Sequence, residues 1–380
     1  MPTNIIYHTA QPQAIQDGGY VSYNNIDFVI NPGENRSLMK NSVRLNGTIQ
    51  INSATTTRVV AADRIFLDHK LGVHACIDSL QVSFGGSLSG EGGGIRENIA
   101  NYARYAEMLT VATNYEDDYL NASQSVELRC PTNDVSQLLS QGRTASDTSA
   151  IAVKDYDFSL KPHCILNSMA GDDVPLEKSG EIRLVINLAR DIAALMGADQ
   201  TSSANYTLRD LHVSFRSVPT DGLWSSKTTR MSSVYNVKSS ILSGQTNISA
   251  QVPAVCQSVS CSFQNQSSEN VAGTNNNELN TLQGITRVAF LFNDATNKYV
   301  TYQIDDQNEM LHRYIDSFKN TGHNQVMLDT FRTNGGFGVG LDFNGSVDLS
   351  NQRFAVQLDS AINASKPMNM YLYFHSVQSI

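Results

Sequence analysis

Positive charge is missing from the start of this chain: no Lys or Arg precedes Arg36. A terminal arm that condenses nucleic acid needs cations to neutralise phosphates, so MPTNIIYHTAQPQAIQDGGYVSYNN excludes that role for this end. Charge of either sign is sparse, 17% of residues against about 25% in an average soluble protein. The balance of 27 basic to 36 acidic residues, net -9, argues against a polyanion binder as a whole and against sequence-specific nucleic-acid contacts. Cysteine is scarce and odd in number, at 76, 130, 164, 256 and 261, which predicts reduced, buried thiols and no disulfide framework. Cys256 and Cys261, five apart in an extended stretch, are expected on opposite faces, and no further ligands lie close enough to complete a zinc site. No apolar run approaches the roughly 18 residues of a membrane helix, and the N-terminus lacks the basic-then-apolar layout of a secretory leader. The expectation is a protein that folds in the cytosol of the cell producing it.

What the chain does have is Asn, Ser, Thr and Gln in quantity beside 41% hydrophobic residues. That excludes a charge-driven disordered chain and disfavours a helix bundle, which draws on Ala, Glu, Lys and Leu. Sequons at Asn46, Asn205 and Asn344 are by-products of this composition. The 380 residues suffice for two domains at about 100 to 200 residues each.

Period two dominates. Val43, Leu45, Gly47, Ile49 and Ile51 alternate with polar residues, and Ile182, Leu184, Ile186 and Leu188 do the same, as do runs at 80–84, 156–160, 211–215, 288–292, 300–304, 337–343, 354–358 and 368–374. Two stretches follow helical spacing instead: Ile95, Ile99, Tyr102, Ala106 and Leu109; and Met310, Leu311, Tyr314, Ile315 and Phe318, with Asp306 as N-cap. The order strand, helix, strands, closing strand occurs twice, and the closing strands LHVSFRSV and LYFHSV look alike, so the chain reads as an internal duplication. The predicted fold class is all-β: two tandem eight-stranded jelly rolls with short amphipathic helices in the loops. The predicted division is an arm over 1–25, a first roll over 26–218, a linker over 219–234 around Pro219 and Gly222, and a second roll over 235–380.

The strand after Asn31-Pro32-Gly33, then SVRLNGTIQI, HACIDSLQVSFGG, the Tyr- and Leu-rich YARYAEML, and the pair EIRLVINLARD and YTLRDLHVSFRSV together resemble the first half of a double jelly-roll major capsid protein. Such proteins form the shells of tailless icosahedral DNA viruses, including tectiviruses, corticoviruses, adenoviruses and polinton-like viruses. The resemblance implies a structural protein of the virion, made in the host cytoplasm, whose trimers form pseudo-hexagonal capsomers that tile an icosahedral capsid. It implies as partners other copies of the chain, penton and minor capsid proteins, and an internal lipid membrane beneath the N-terminal arm.

Chemistry is thin by comparison. The loop GGSLSGEGGGIREN, read as opening a helix, lacks the Gly-Lys-Ser/Thr of a phosphate loop, and Leu88 stands where a hydrolase elbow needs its serine. The glycines of GGFGVG suit a bend or a close backbone approach. The carboxylate pairs Asp117/Asp118, Asp172/Asp173 and Asp305/Asp306 suit calcium or acid–base work only if both face one centre, which neighbouring strand residues do not. Asp63, Asp68, His69 and His74 form the densest set of metal-ligand types, read here as a turn with His74 opening the next strand. Tyr102, Tyr105, Tyr371 and Tyr373 lack the interleaved cations of a base-stacking platform and suit core or interface. No catalytic, cofactor-binding or metal-ligating residue is assigned, and the chain is expected not to be an enzyme. The competing expectation is a carbohydrate- or receptor-binding β-sandwich of a spike or adhesin, with Trp224 as its only aromatic of that kind.

Overall fold

In the computed structural model the described residues are 4–54, 57–58, 65–68, 71–85, 93–112, 126–128, 156–168, 171–197, 203–220, 228–241, 247–252, 255–274, 276–277, 287–293, 302–304, 307–318, 338–350, 353–359 and 367–379. Eight strands build the first roll: β1 (Ile6–Ala10), β2 (Asn25–Ile30), β3 (Arg44–Ala54), β4 (Ile77–Phe84), β5 (Gly94–Ala100), β6 (Tyr156–Leu160), β7 (Ile182–Leu188) and β8 (Asn205–Pro219). Eight more build the second: β9 (Arg230–Ile241), β10 (Asn247–Gln251), β11 (Val255–Asn265), β12 (Arg287–Asn293), β13 (Tyr302–Ile304), β14 (Val339–Asp348), β15 (Arg353–Asp359) and β16 (Met368–Ser379). Helix α1 (Tyr102–Ala112) follows β5, and α2 (Gln307–Asp316) follows β13.

Strand order carries the duplication. The first roll pairs β1-β8-β3-β6 in one sheet and β2-β7-β4-β5 in the other; the second pairs β9-β16-β11-β14 and β10-β15-β12-β13. Counted within each roll, both read 1-8-3-6 and 2-7-4-5, the order in which two Greek keys wrap into a jelly roll. Both helices occupy the same connection, between the fifth and sixth strands. Short strands at 36–38, 57–58 and 174–175 extend the β1-containing sheet.

Alternation explains the cores. In β7 the pattern runs buried, exposed, buried from Ile182 to Leu188, because its Ile and Leu side chains face the opposing sheet while Arg183, Val185 and Asn187 face away. Phe354 joins the two sheets of the second roll, tilted 5.8 Å from Phe290 and edge-on 5.0 Å from Phe374.

Several expectations need correction. The stripe from Ile95 to Leu109 is two elements: β5 pairs with β4, and Asn101, at φ 52, turns the chain before α1 begins. Gly94 therefore opens a strand, not a helix. His74 lies in a 3-10 turn, Gly72–Cys76, before β4 instead of at the head of a strand. Residues 6–10 of the expected arm are β1, held along β8, and β9 begins at Arg230 inside the expected linker, whose Pro219 ends β8. Cys256 and Cys261, by contrast, are buried as expected, on a β11 enclosed on both faces.

Candidate functional site at the joint between the rolls

The polar residues with unusual environments gather where the rolls meet. There β5 of the first roll runs parallel to β9 of the second through the bridge Asn98–Tyr235, fusing one sheet from each roll into a single eight-stranded sheet. Ala100 N–H donates to Asn236 Oδ1 (3.2 Å) and Gln378 Nε2 donates to the Arg96 carbonyl (2.7 Å). Glu97 fastens the seam at both oxygens: Oε1 accepts from Val234 N–H at 2.8 Å and Oε2 from Ile165 N–H at 2.6 Å. Burial pushes its carboxyl up to about 8, against the opposing pull of those two N–H donors, so Glu97 keeps its proton at neutral pH.

Helix α1 covers the fused sheet. Its Arg104 is buried, donates to Gln264 and to the carbonyls of Asn276 (2.5 Å) and Asn277 (3.3 Å), and lies 4.6 Å over the Tyr371 ring. Asn276 and Asn277 in turn donate to the carbonyls of Ile192 (2.7 Å) and Ala193 (3.3 Å) in the first roll. Tyr373 OH donates to Asn101 O (3.0 Å), and Tyr314 OH on α2 donates to Met108 O on α1 (2.9 Å). Small residues let the helices approach: Ser258, Ser260 and Ser262 on β11 are fully buried, and a Cβ on Gly340 would stand 2.4 Å from Ser317 Oγ of the turn ending α2.

Of the ligand-type cluster, Asp63 and His69 lie outside the described residues. His74 is buried with Nδ1 2.9 Å from Tyr102 OH, which accepts from His163 N–H at 2.9 Å, and its ring stacks on His163 at 4.7 Å. His74 Nε2 faces Glu127 Oε2 at 3.5 Å, and Glu127 Oε1 accepts from Lys161 N–H at 3.1 Å. These groups pack on one another, and no metal-holding group of three His, Cys, Asp or Glu occurs among the described residues. Asp172 and Asp173 staple backbone: Asp172 Oδ2 accepts from Arg230 N–H (3.0 Å), Asp173 Oδ1 from Lys40 N–H (2.8 Å). Asp117, Asp118, Asp305, Asp306 and Trp224 lie outside the described residues. Tyr102, Tyr105, Tyr371 and Tyr373 are core.

A cavity of about 30 Å³ among Glu97, Tyr105, Lys161, His163 and Cys164 has room for one or two waters. Burial and nearby Arg44 bring the Lys161 ammonium down to about 8. A second, of about 80 Å³, lies beside Asp78, Arg104 and Glu269. Both fall below the roughly 300 Å³ of small-molecule sites. What this arrangement does is lock two sandwiches into one body. Sequence reading missed Glu97 and Arg104, whose charges look solvated on a strand or helix face and whose partners are distant in the chain.

The fold is thus the double jelly roll, the architecture of virus major capsid proteins. By sequence, no family model and no curated protein matches the chain. By structure it is similar to the Faustovirus major capsid protein (9% identity, 100% of this chain and 90% of that one, TM-score 0.63). It is similar also to a chain of the cryo-EM structure of the Sputnik virophage (10%, 99% and 86%, TM-score 0.57) and to the mavirus major capsid protein (12%, 98% and 86%, TM-score 0.52).

Proposed function

We propose that this chain is a major capsid protein whose trimers form pseudo-hexagonal capsomers of an icosahedral shell and reside in the virion. The observation that carries this is the repeated 1-8-3-6 and 2-7-4-5 strand order fused by one sheet into a single body. Two blocks of like topology per chain give six around a threefold axis, so a trimer presents a near-sixfold outline suited to tiling. Similarity over the whole chain to shell proteins of several viruses supports the same reading. The functional division we adopt is a first roll over 6–219 and a second over 230–379. Penton or minor capsid proteins and a membrane beneath the shell are partners consistent with the role.

The test is light scattering on the purified chain, with negative-stain imaging. The expected species has three times the chain mass and a hexagonal outline that persists on dilution, as interfaces on the order of 2,000 Å² do. A monomer at every concentration refutes the proposal.

A further inference from the structure

The first and last strands of the second roll lie side by side, and across them an amine, a carboxylate and an amide share one site. Lys238 of β9 stands opposite Tyr371 of β16 and Ser240 opposite Asn369, so Lys238 and Asn369 occupy one face on a diagonal that long side chains span. Glu269, just past the 3-10 turn Gln266–Ser268 that follows β11, sets its carboxylate between them. Its Oε1 accepts from Lys238 Nζ at 2.6 Å and from Tyr371 OH at 3.2 Å, and its Oε2 accepts from Asn369 Nδ2. The Asn369 carbonyl oxygen also accepts twice, from Ser240 Oγ at 3.1 Å and from Gln266 Nε2 at 3.0 Å.

Each contact has a counterpart in acyl transfer. Two donors on Asn369 Oδ1 draw electrons from Cγ and are in place for the negative charge that this oxygen gains when Cγ is attacked. The amine that would attack and the amide nitrogen that would leave sit on the two oxygens of one carboxylate, so a proton taken from one can be handed to the other. Asn369 is 3% exposed and Tyr371 1%, and Lys238 Nζ lies 5.3 Å over the Tyr371 ring, so the amide is shielded from water. An ordinary ion pair accounts for Lys238 and Glu269; the buried amide held beside them adds an electrophile.

We propose that Lys238 and Asn369 join in an intramolecular isopeptide bond that the chain forms by itself, with Glu269 as proton carrier. Glu269 Oε1 takes a proton from the Lys238 ammonium, and the freed Nζ lone pair attacks Asn369 Cγ. The Cγ–Nδ2 bond then breaks; Nδ2 leaves as ammonium with the two protons that Nζ has lost, and Glu269 returns to its carboxylate. The step needs no oxidant, metal or other reactant. Burial works against the Lys238 ammonium, yet its bonds to Glu269 and Tyr371 hold it above the ordinary lysine value, so the first proton transfer is uphill and the bond forms slowly. The cavity of about 80 Å³ beside Glu269 and Tyr371 has room for the departing ammonium. Once made, the bond ties the opening strand of the second roll to its closing strand. It belongs to the single chain and does not depend on the shell reading.

The test is intact mass spectrometry of the purified full-length chain, fresh and after days at about pH 9, where more lysine is unprotonated, followed by tryptic mapping. The expected product is lighter by one ammonia, is no longer cut after Lys238, and yields a branched peptide joining the segments of Lys238 and Asn369. Lys238→Arg, which keeps the charge, and Glu269→Gln are expected to keep their full mass and give no branched peptide, with circular dichroism matching the wild type. An unchanged wild-type mass overturns the proposal, and so does ammonia loss without the branched peptide. The branched peptide forming in Glu269→Gln at the wild-type rate overturns the role of Glu269. The wild-type measurement decides even where a variant fails to fold.

Discussion

Replacing Arg104 by alanine tests whether the joint is a structural keystone. Arg104 satisfies Gln264 and the carbonyls of Asn276 and Asn277 and stacks on Tyr371, all in the second roll, from a helix of the first. Hydrogen bonds to a charged donor are worth about 1.5–3 kcal/mol each when broken one-sidedly, and a desolvated cation–π contact about 2 kcal/mol. Burying the guanidinium is itself costly and truncation removes that cost, so the net loss falls below the sum, to about 3–5 kcal/mol for three acceptors left buried without a donor. The comparison is Arg183→Ala: Arg183 is half-exposed, with ion pairs of 3.3 Å to Asp27 and to Glu181, and its loss should cost under about 1 kcal/mol. Urea unfolding followed by near-ultraviolet circular dichroism measures both. Hydrogen exchange adds location, since Arg104→Ala should lower protection on both sides of the joint, in α1 and in residues 266–277. Arg104→Lys keeps the charge but not the planar fork and should recover little. If Arg104→Ala costs no more than Arg183→Ala, or if protection falls in α1 alone, the joint does not couple the rolls as argued.

Other outcomes follow from the same geometry. Glu97 holds its proton up to about pH 8 in the fold and to about 4.5 unfolded, so its contribution is complete below pH 4.5 and lost as pH rises through 8. Denaturation midpoints should fall between pH 5 and 8 in the wild type, and Glu97→Gln should flatten that slope at a cost of about 1–3 kcal/mol at pH 5 for one mismatched N–H; parallel slopes would contradict the assignment. Burial raises the thiols of Cys76, Cys164 and Cys261, and of Cys256 to about 12, so peptide mapping after maleimide treatment at pH 8 should find these four unmodified in the native chain and labelled after unfolding. Gly72 has φ 54, and a Cβ there would meet Glu127 O at 2.1 Å; Gly72→Ala should cost about 2 kcal/mol or more, whereas Gly18→Ala, with open space around it, should stay within about 0.5 kcal/mol.

Legibility in the sequence tracked how many faces of a strand are buried. Strands with one solvated face, such as β7 with Arg183 and Asn187 outward, announce themselves by alternation. β11 does not, because Ser258, Ser260 and Ser262 read as a wet face although helices cover them. β9 hid for the same reason, with Ser232 and Ser233 buried at the joint. Local spacing failed at 95–109, where a strand and a helix happen to place apolar residues in helical phase across the turn at Asn101. The duplication was legible through its closing strands. The joint was not, because nothing local marks Glu97 or Arg104 as buried: their partners lie 137 and 160 residues away.

The polar-neutral composition then acquires one physical cause with two expressions. A helix laid on a sheet face can bury serine, asparagine and glutamine provided each finds a partner, as Ser258 Oγ does on the Ser317 carbonyl and Gln264 on Asn276. Lysine or glutamate in those positions would carry a desolvation cost of several kcal/mol each. The second roll shows that surface already covered. The first shows a similar surface still open, with Asn46 bonded to Ser214 and Gln50 to Asn52 along the sheet. Such a face loses less on being covered than one of solvated charges, because these amide donors already bond along the sheet. On the proposed shell role the chain meets both water and its neighbours, side chains that tolerate both states serve it, and charge, which tolerates only one, is correspondingly sparse.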